Sequence, residues 1–149
     1  MKLTLAHIGT RSAGRDEFES LTAGYLDRCS AFAQCTAQAF PTEAALLEWL
    51  DRQKGRTTAF LTLFDSSGRQ LSSGAFAKWL SERRDGGEQH LVFAIGPHSG
   101  WSDAARGRAG LLLSLGAWTL PHAMARLVVA EQIYRAFTIL SGHPYHCGH

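Results

Sequence analysis

Cysteine is scarce in this chain and has none of the spacings that carry disulfides. Only three of the 149 residues are cysteine, at Cys29, Cys35 and Cys147, and no C-x-x-C pair occurs. An odd number without paired spacing argues against a disulfide framework and is typical of a reducing compartment. We therefore expect a cytoplasmic protein without structural disulfides.

Long apolar runs are also missing. No stretch approaches the roughly 20 apolar residues that a membrane-spanning helix needs, and the first residues alternate in polarity, unlike a signal peptide. We expect no membrane partner. With 45% hydrophobic and 19% charged residues, the chain has the composition of a folded protein. Its length fits one domain over residues 1–149.

Acidic residues almost disappear from the C-terminal part. The formal net charge is only +2, but from Gly96 onward the only acids are Asp103 and Glu131. Twelve of the 15 basic residues are Arg, whose planar guanidinium binds phosphate through two parallel hydrogen bonds. The pattern is compatible with a nucleic-acid partner and equally with scattered, solvated Arg side chains.

Several common catalytic signatures are absent. The sequence has no Ser/His/Asp grouping with an elbow motif and no paired carboxylates, so hydrolase chemistry has no support. The glycine turn at residues 96–100 lacks the spacing of a P-loop or of a dinucleotide fingerprint. On its own it is either an ordinary turn or a place where a ligand approaches the backbone closely.

The C-terminal residues 142–149 are rich in possible ligands. His143, His146, Cys147 and His149 could bind zinc, but their spacing matches none of the usual patterns, so we expect no metal. His143, Tyr145 and His146 could instead accept protons or stack on a base. On chemistry alone, a disordered terminus is the favoured interpretation.

Strand and helix patterns alternate along the chain. Strands are predicted at 3–8, 34–40, 58–64 and 91–95, the third ended by a turn at 65–68. Helices are predicted at about 17–28, from a cap at Thr42, at 73–84, from Ser102, and at about 123–140. Residues 111–115 fit a helix end or a strand. This alternation predicts an α/β fold with a mostly parallel sheet flanked by helices.

Ligands of such sheets bind beyond the carboxyl ends of the strands. The loops after Phe64, after Ile95 and around residues 115–120 are therefore the candidate binding loops. Asp65 is interpreted as a turn residue in preference to a catalytic acid. Arg135 lies four residues after Glu131, which fits an ion pair within the helix as well as a phosphate contact.

Several short motifs are specific when they are taken as a set. They are Trp118-Thr-Leu-Pro-His122, Arg126-Leu-Val-Val-Ala-Glu131, Tyr134-Arg135-Ala136 and His143-Pro-Tyr-His146, with Lys2-Leu3-Thr4-Leu5, Gly9-Thr10 and residues 68–73 upstream. Together they resemble the large-subunit ribosomal RNA pseudouridine methyltransferase family of the SPOUT class. The resemblance runs along the whole chain and is strongest between residues 91 and 146.

This resemblance implies a fold and a cofactor. The fold is a SPOUT-type α/β domain with a C-terminal trefoil knot, assembled as a homodimer, and the cofactor is S-adenosylmethionine. Carried over by position, the cofactor-binding residues are Phe64, Gly96, Leu115, Gly116, Ala117, Trp118, Thr119 and Leu120. These residues lie in the loops that the sheet rule selects.

The resemblance also implies a substrate: ring nitrogen 3 of a pseudouridine in large-subunit (23S) ribosomal RNA, methylated on the assembled ribosome. Tyr145 and His146 are the expected catalytic residues, which help to remove the imide proton or hold the base. Arg126, Arg135 and His143 are expected to bind RNA.

Two departures from the family pattern support an alternative. Where the family usually has Gly-Gly-Pro-Glu-Gly, this chain has Gly96-Pro97-His98-Ser99-Gly100, and a basic residue that often follows the final Tyr-His pair is replaced by Cys147. Both changes alter local charge. The alternative is a non-catalytic ribosome- or RNA-binding module with the same fold.

Overall fold

Strands and helices alternate in the computed structural model, which describes residues 1–9, 16–53 and 58–147. Their bounds are β1 Lys2–Ile8, α1 Glu17–Cys29, β2 Gln34–Phe40, α2 Glu43–Arg52, β3 Phe60–Arg69, α3 Ser73–Asp85, β4 His90–Ile95, α4 Asp103–Arg108, β5 Leu111–Leu113 and α5 His122–Ser141, followed by a short 3-10 turn Pro144–His146. The predicted alternation is thus confirmed. Thr10 and His149 lie outside the described residues.

The strands form one parallel sheet. Among the described residues its order is β2-β1-β4-β3-β5, and each pairing in it is parallel. β4 lies in the middle and is apolar and buried from Leu91 to Ile95. A continuous apolar run is what a strand needs when helices cover both of its faces. The predicted α/β fold is therefore confirmed.

Helices cover both faces of the sheet. Leu3, Leu5 and Phe93 point to the core under α1, α3 and α5, whereas Val92 and Ala94 point to the core under α2 and α4. Because neighbouring residues of a strand point to opposite faces, β4 contributes to both cores. No helix of the described residues is long and apolar enough to cross a membrane.

Side-chain caps fix where four helices begin. Asp16, Thr42, Ser72 and Ser102 each accept a hydrogen bond from the backbone N–H three residues later, at 2.7–3.2 Å. Each cap satisfies an N–H that has no partner within its helix. The cap predicted at Thr42 is confirmed.

The turn predicted at residues 65–68 is wrong. β3 does not end at Phe64 but continues to Arg69, with a register shift between these two residues against β5. The continuation brings Gly68 against the backbone of Leu113, and a Cβ on Gly68 would lie 2.5 Å from the carbonyl carbon of Leu113. Residues 111–113, which fitted a helix end or a strand, form the edge strand β5.

Candidate active site

A cleft of about 540 Å³ opens at the carboxyl end of β4, where it meets residues 64–66 in the middle of β3, beside the loop that follows β5. This is the edge at which parallel α/β sheets bind ligands. All eight residues expected to bind the cofactor line this one cleft: Phe64, Gly96, Leu115, Gly116, Ala117, Trp118, Thr119 and Leu120. Residues from three separate parts of the sequence are thus brought together.

Trp101 forms the buried wall of the cleft beside Gly96. Its side chain is 6% exposed, and its indole N–H donates a 3.0 Å hydrogen bond to the carbonyl oxygen of Phe64. A Cβ on Gly96 would lie 2.6 Å from Cε2 of this indole. Glycine is required here because the tryptophan ring occupies the space of a side chain. No local sequence pattern marks Trp101, because its contacts with Phe64 and Gly96 are tertiary.

A serine fixes the loop between β5 and α5. The Ser114 hydroxyl accepts a hydrogen bond from the Gly116 N–H and donates one to the Gly116 carbonyl, both at 3.1 Å. Gly116 has φ +119°, a conformation that favours glycine. The loop then exposes Trp118, whose side chain is 88% accessible at the edge of the cleft.

One acidic side chain is held rigidly in the polar wall of the cleft. Asp65 accepts hydrogen bonds from the N–H and hydroxyl of Ser67, at 2.9 and 2.6 Å, and pairs with Arg106 at 3.0 Å. The Ser67 hydrogen bonds, followed by the charge of Arg106, lower the pKa of Asp65 below its ordinary value. Asp65 therefore stays ionised and paired with Arg106, which does not suit acid catalysis. The expectation that it is a turn residue is wrong, because it lies within β3.

Two histidines meet at the rim of the cleft. His98 follows β4 and His122 begins α5, and their ring centroids lie 4.3 Å apart with the planes inclined by 34°. Burial lowers the pKa of His122, and the charges of His98 and Arg126 lower it further. Neither histidine had a predicted role, because a contact between residues 24 positions apart leaves no local sequence pattern.

The C-terminal turn packs on α5. Tyr145 donates a 3.0 Å hydrogen bond from its hydroxyl to Glu131, and the same carboxylate oxygen lies 2.6 Å from Nη2 of Arg135. Arg135 also contacts Nδ1 of His146 at 2.9 Å, and Nδ1 of His143 accepts a 3.2 Å hydrogen bond from the Tyr145 N–H. The disordered terminus favoured on chemistry alone is therefore wrong up to Cys147, the last described residue.

These contacts separate the expected catalytic residues from the cleft. Tyr145 and His146 are not among the residues that line it. Burial raises the pKa of Tyr145, and hydrogen bonds with Tyr25 and Glu131 raise it further. The ion pair proposed for Arg135 and Glu131 is present, while the RNA-binding role of Arg135 stays a prediction.

Arg126 faces a second, smaller cavity of about 150 Å³. Its Nη1 lies 3.1 Å from Nε2 of His7, a histidine 8% exposed at the end of β1. Glu19 and Thr22 of α1 line the same cavity. Arg126 therefore does not line the larger cleft at the end of β4. Within residues 1–9, 16–53 and 58–147, no three His, Cys, Asp or Glu side chains are grouped so that they could hold a metal ion.

Residues 1–146 match the family model described as Predicted SPOUT methyltransferase, and the chain belongs to this family. The chain is 44% identical to Ribosomal RNA large subunit methyltransferase H of Koribacter versatilis over 149 residues, which cover all of both chains. It is 38% identical to the protein of the same name from Xanthobacter autotrophicus, with 98% of this chain and 99% of that protein covered.

The fold is also found among solved structures. The SpoU methyltransferase AviRb of Streptomyces viridochromogenes superimposes with a TM-score of 0.52 at 16% identity. The match covers 95% of this chain and 60% of AviRb, so the chain spans less than two thirds of that structure. At this identity the likeness concerns the fold alone.

Proposed function

We propose that this protein transfers a methyl group from S-adenosylmethionine to ring nitrogen 3 of a pseudouridine in large-subunit ribosomal RNA, on the assembled ribosome in the cytoplasm. The observation that carries the proposal is the convergence of eight expected cofactor residues on one cleft. The end-to-end identity with proteins named Ribosomal RNA large subunit methyltransferase H supports the RNA substrate.

The cleft fits the size and mixed polarity of this cofactor. A volume of about 540 Å³ lies within the range of small-molecule sites. Phe64, Leu115 and Leu120 offer apolar surface for an adenine ring. The polar wall offers hydrogen-bonding groups, among them the Asp65 carboxylate, which is paired with Arg106 at 3.0 Å and so adds little net charge. An apolar wall and a polar wall together suit a nucleoside with a polar ribose.

The main tasks of the protein in this reaction are alignment and control of a proton. S-adenosylmethionine supplies a methyl group that is already activated, so no metal is needed. The loop at 115–120 and Gly96 hold the cofactor, and a fixed geometry lowers the entropic cost of reaching the transition state. Tyr145 and His146 hold the acceptor base, and Arg126, Arg135 and His143 contact the RNA backbone.

We further propose that the active unit is a homodimer. Tyr145 and His146 do not line the cleft of their own chain, and Glu131 and Arg135 hold them on α5. A second copy can bring its C-terminal turn to this cleft. Leu115 and Trp118, which are 38% and 88% exposed at the cleft, provide apolar surface for that contact.

Transfer of labelled methyl groups tests the activity directly. The substrates are assembled ribosomes from cells that lack the corresponding modification and, in parallel, deproteinised ribosomal RNA. We expect label at N3 of one pseudouridine in the large-subunit RNA of assembled ribosomes and none in the deproteinised RNA. Mapping the methylated nucleoside by mass spectrometry checks the position. Label at another base or in small-subunit RNA would contradict the proposal.

A matched pair of variants links the activity to the cleft. Ala117→Arg places a guanidinium among the cofactor residues, whereas Ala44→Arg places the same group on the exposed surface of α2. We expect only the first to abolish cofactor binding and transfer. If the wild type binds ribosomes but no S-adenosylmethionine, the chain is the non-catalytic RNA-binding module, and the altered residues 97–99 become the place to examine.

Mixed dimers test whether one site uses both chains. A variant with a blocked cleft, Ala117→Arg, is combined with a variant lacking the tail groups, Tyr145→Phe with His146→Ala. If the tail acts on the partner's cleft, each mixed dimer has one intact site and activity returns. If the tail acts on its own cleft, every site has a defect and mixing restores nothing.

A further inference from the structure

The histidine pair at the rim of the cleft has no part in the function proposed above. His98 and His122 lie in ring contact, with centroids 4.3 Å apart, and both line the cofactor cleft. Among the described residues that line this cleft, they are the side chains with a nitrogen lone pair that can take a proton near neutral pH. In this chain His98 stands within the loop that departs from the family pattern.

The surroundings of His122 favour the neutral form of its ring. The side chain is half-buried at the first residue of α5, and burial lowers its pKa. The charged groups facing it are His98 on the loop after β4 and Arg126 one turn along α5, and both act in the same direction. Arg106 and Asp65 lie in the same cleft but pair with each other at 3.0 Å. A neutral imidazole is the form that can accept a proton.

Methylation of an imide nitrogen requires such an acceptor, because the N–H proton must leave as the new bond forms. The C-terminal tyrosine is poorly suited to this task. Its hydroxyl donates to Glu131, and its raised pKa favours the protonated form. Tyr145 can hold the base through hydrogen bonding, but it does not provide a free lone pair of sufficient basicity.

We propose that His122 is the proton acceptor of the methyl transfer and that His98 is a positioning residue that holds the His122 ring against the cleft. The inference rests on the methyltransferase function proposed above. The N3–H proton passes to a ring nitrogen of His122, and the nitrogen electron pair forms the N–CH₃ bond. The S–CH₃ bond breaks with its electrons remaining on sulfur, and the imidazolium then releases its proton to solvent.

The pH dependence of single-turnover methyl transfer to ribosomes tests the assignment, with S-adenosylmethionine affinity measured separately by calorimetry. In the wild type the rate is expected to fall with unit slope at acid pH, with an inflection below the ordinary histidine value of 6.5. His122→Asn should lower the rate by roughly 10²–10⁴-fold and remove this inflection. Its cofactor affinity should stay within about threefold of the wild type, since removing a proton acceptor alters the transition state and not ground-state binding.

His98→Phe separates positioning from proton transfer. Phenylalanine keeps a ring against His122 but removes the neighbouring charge, so the inflection should move to higher pH while the plateau rate is retained. His98→Ala removes the ring contact and should lower the plateau rate. As a control, His90→Gln removes a histidine at the opposite end of β4 and should leave the profile unchanged.

The outcomes distinguish this inference from the function on which it rests. A wild-type protein without methyl transfer overturns both. An active wild type with an equally active His122→Asn variant and the same inflection overturns only the role of His122. If saturating S-adenosylmethionine fully restores the rate of His122→Asn, the role of His122 as proton acceptor is also overturned, because the residue would then act in cofactor binding.

Discussion

Substitution of Gly96 tests how the cleft is built, and its effect can be worked out from the structure. In Gly96→Ala the new methyl carbon would lie 2.6 Å from Cε2 and 2.7 Å from Nε1 of Trp101, where ordinary contacts are 3.4–4 Å. The indole is 6% exposed and packed in the core between the sheet, α2 and α4. Either the ring or the strand end must therefore move.

The expected cost has two parts. Overpacking of a core costs about 1–3 kcal/mol. Displacing the indole also breaks its 3.0 Å hydrogen bond to the Phe64 carbonyl, which contributes about 0.5–1.5 kcal/mol. We expect the free energy of unfolding to fall by about 1.5–4.5 kcal/mol. Cofactor binding should weaken as well, because Phe64 and Gly96 both line the cleft.

Urea unfolding and calorimetric cofactor binding measure the two effects. The control is Gly74→Ala on α3, where a Cβ has nothing within 4 Å, and its stability should be unchanged or higher by up to about 1 kcal/mol. In a double-mutant cycle, Trp101→Leu removes the clashing ring atoms Nε1, Cε2 and Cζ2, so the double variant should lose less than the sum of the single losses. A Gly96→Ala change within about 0.5 kcal/mol of wild type, or strict additivity with Trp101→Leu, would refute the packing explanation.

Three further predictions concern other parts of the fold. Gly68→Ala should destabilise by at least about 2 kcal/mol in urea unfolding, since its Cβ would meet the backbone of β5 at 2.5 Å and a backbone cannot rotate away. Burial, and then the charge of Lys2, lower the pKa of His90. As pH falls, His90 therefore becomes protonated in the unfolded chain at a higher pH than in the folded chain. The free energy of unfolding of the wild type should fall as pH drops below about 6.5, and it should fall less steeply in His90→Gln. Glu131→Gln should lower the pKa of Tyr145 towards its ordinary value. In an alkaline titration, tyrosinate absorbance should then appear at a lower pH than in the wild type. This difference should be absent when Glu131→Gln is made in the Tyr145→Phe background.

The regular elements were predictable because their patterns are local. β4 is a run of apolar residues, and caps such as Thr42 lie three residues from the N–H that they bind. The extension of β3 was not predictable in this way. Asp65-Ser-Ser-Gly68 has the composition of a turn, and only the approach of β5 to Gly68 shows that pairing continues to Arg69. Non-local pairing overrides local preference here.

The candidate site likewise has parts that could be predicted from the sequence and parts that depend on tertiary contacts. The cofactor residues were named from a family resemblance and from the rule on carboxyl ends, and the structure brings them to one cleft. The order of the C-terminal turn was not predicted, because it depends on Tyr145 reaching Glu131 fourteen residues earlier. The ring contact of His98 with His122 is likewise a product of tertiary structure. The trefoil knot and the homodimer stay predictions. Both come from the family resemblance, and hydrophobic periodicity carries no information about either.

The altered loop after β4 changes the charge balance of the cleft. The family pattern has an acid where this chain has Ser99, and among the described lining residues Asp65 is the one carboxylate. Asp65, however, pairs with Arg106 at 3.0 Å, a separation far below the Debye length of about 8 Å at physiological ionic strength, so salt does not separate the two charges. The pair therefore presents a dipole to the cleft and not a full negative charge. Attraction of a cationic cofactor by net charge is thus expected to be weak with or without an acid at position 99, and the loss of that acid is compatible with a cofactor site that relies on shape and apolar contact.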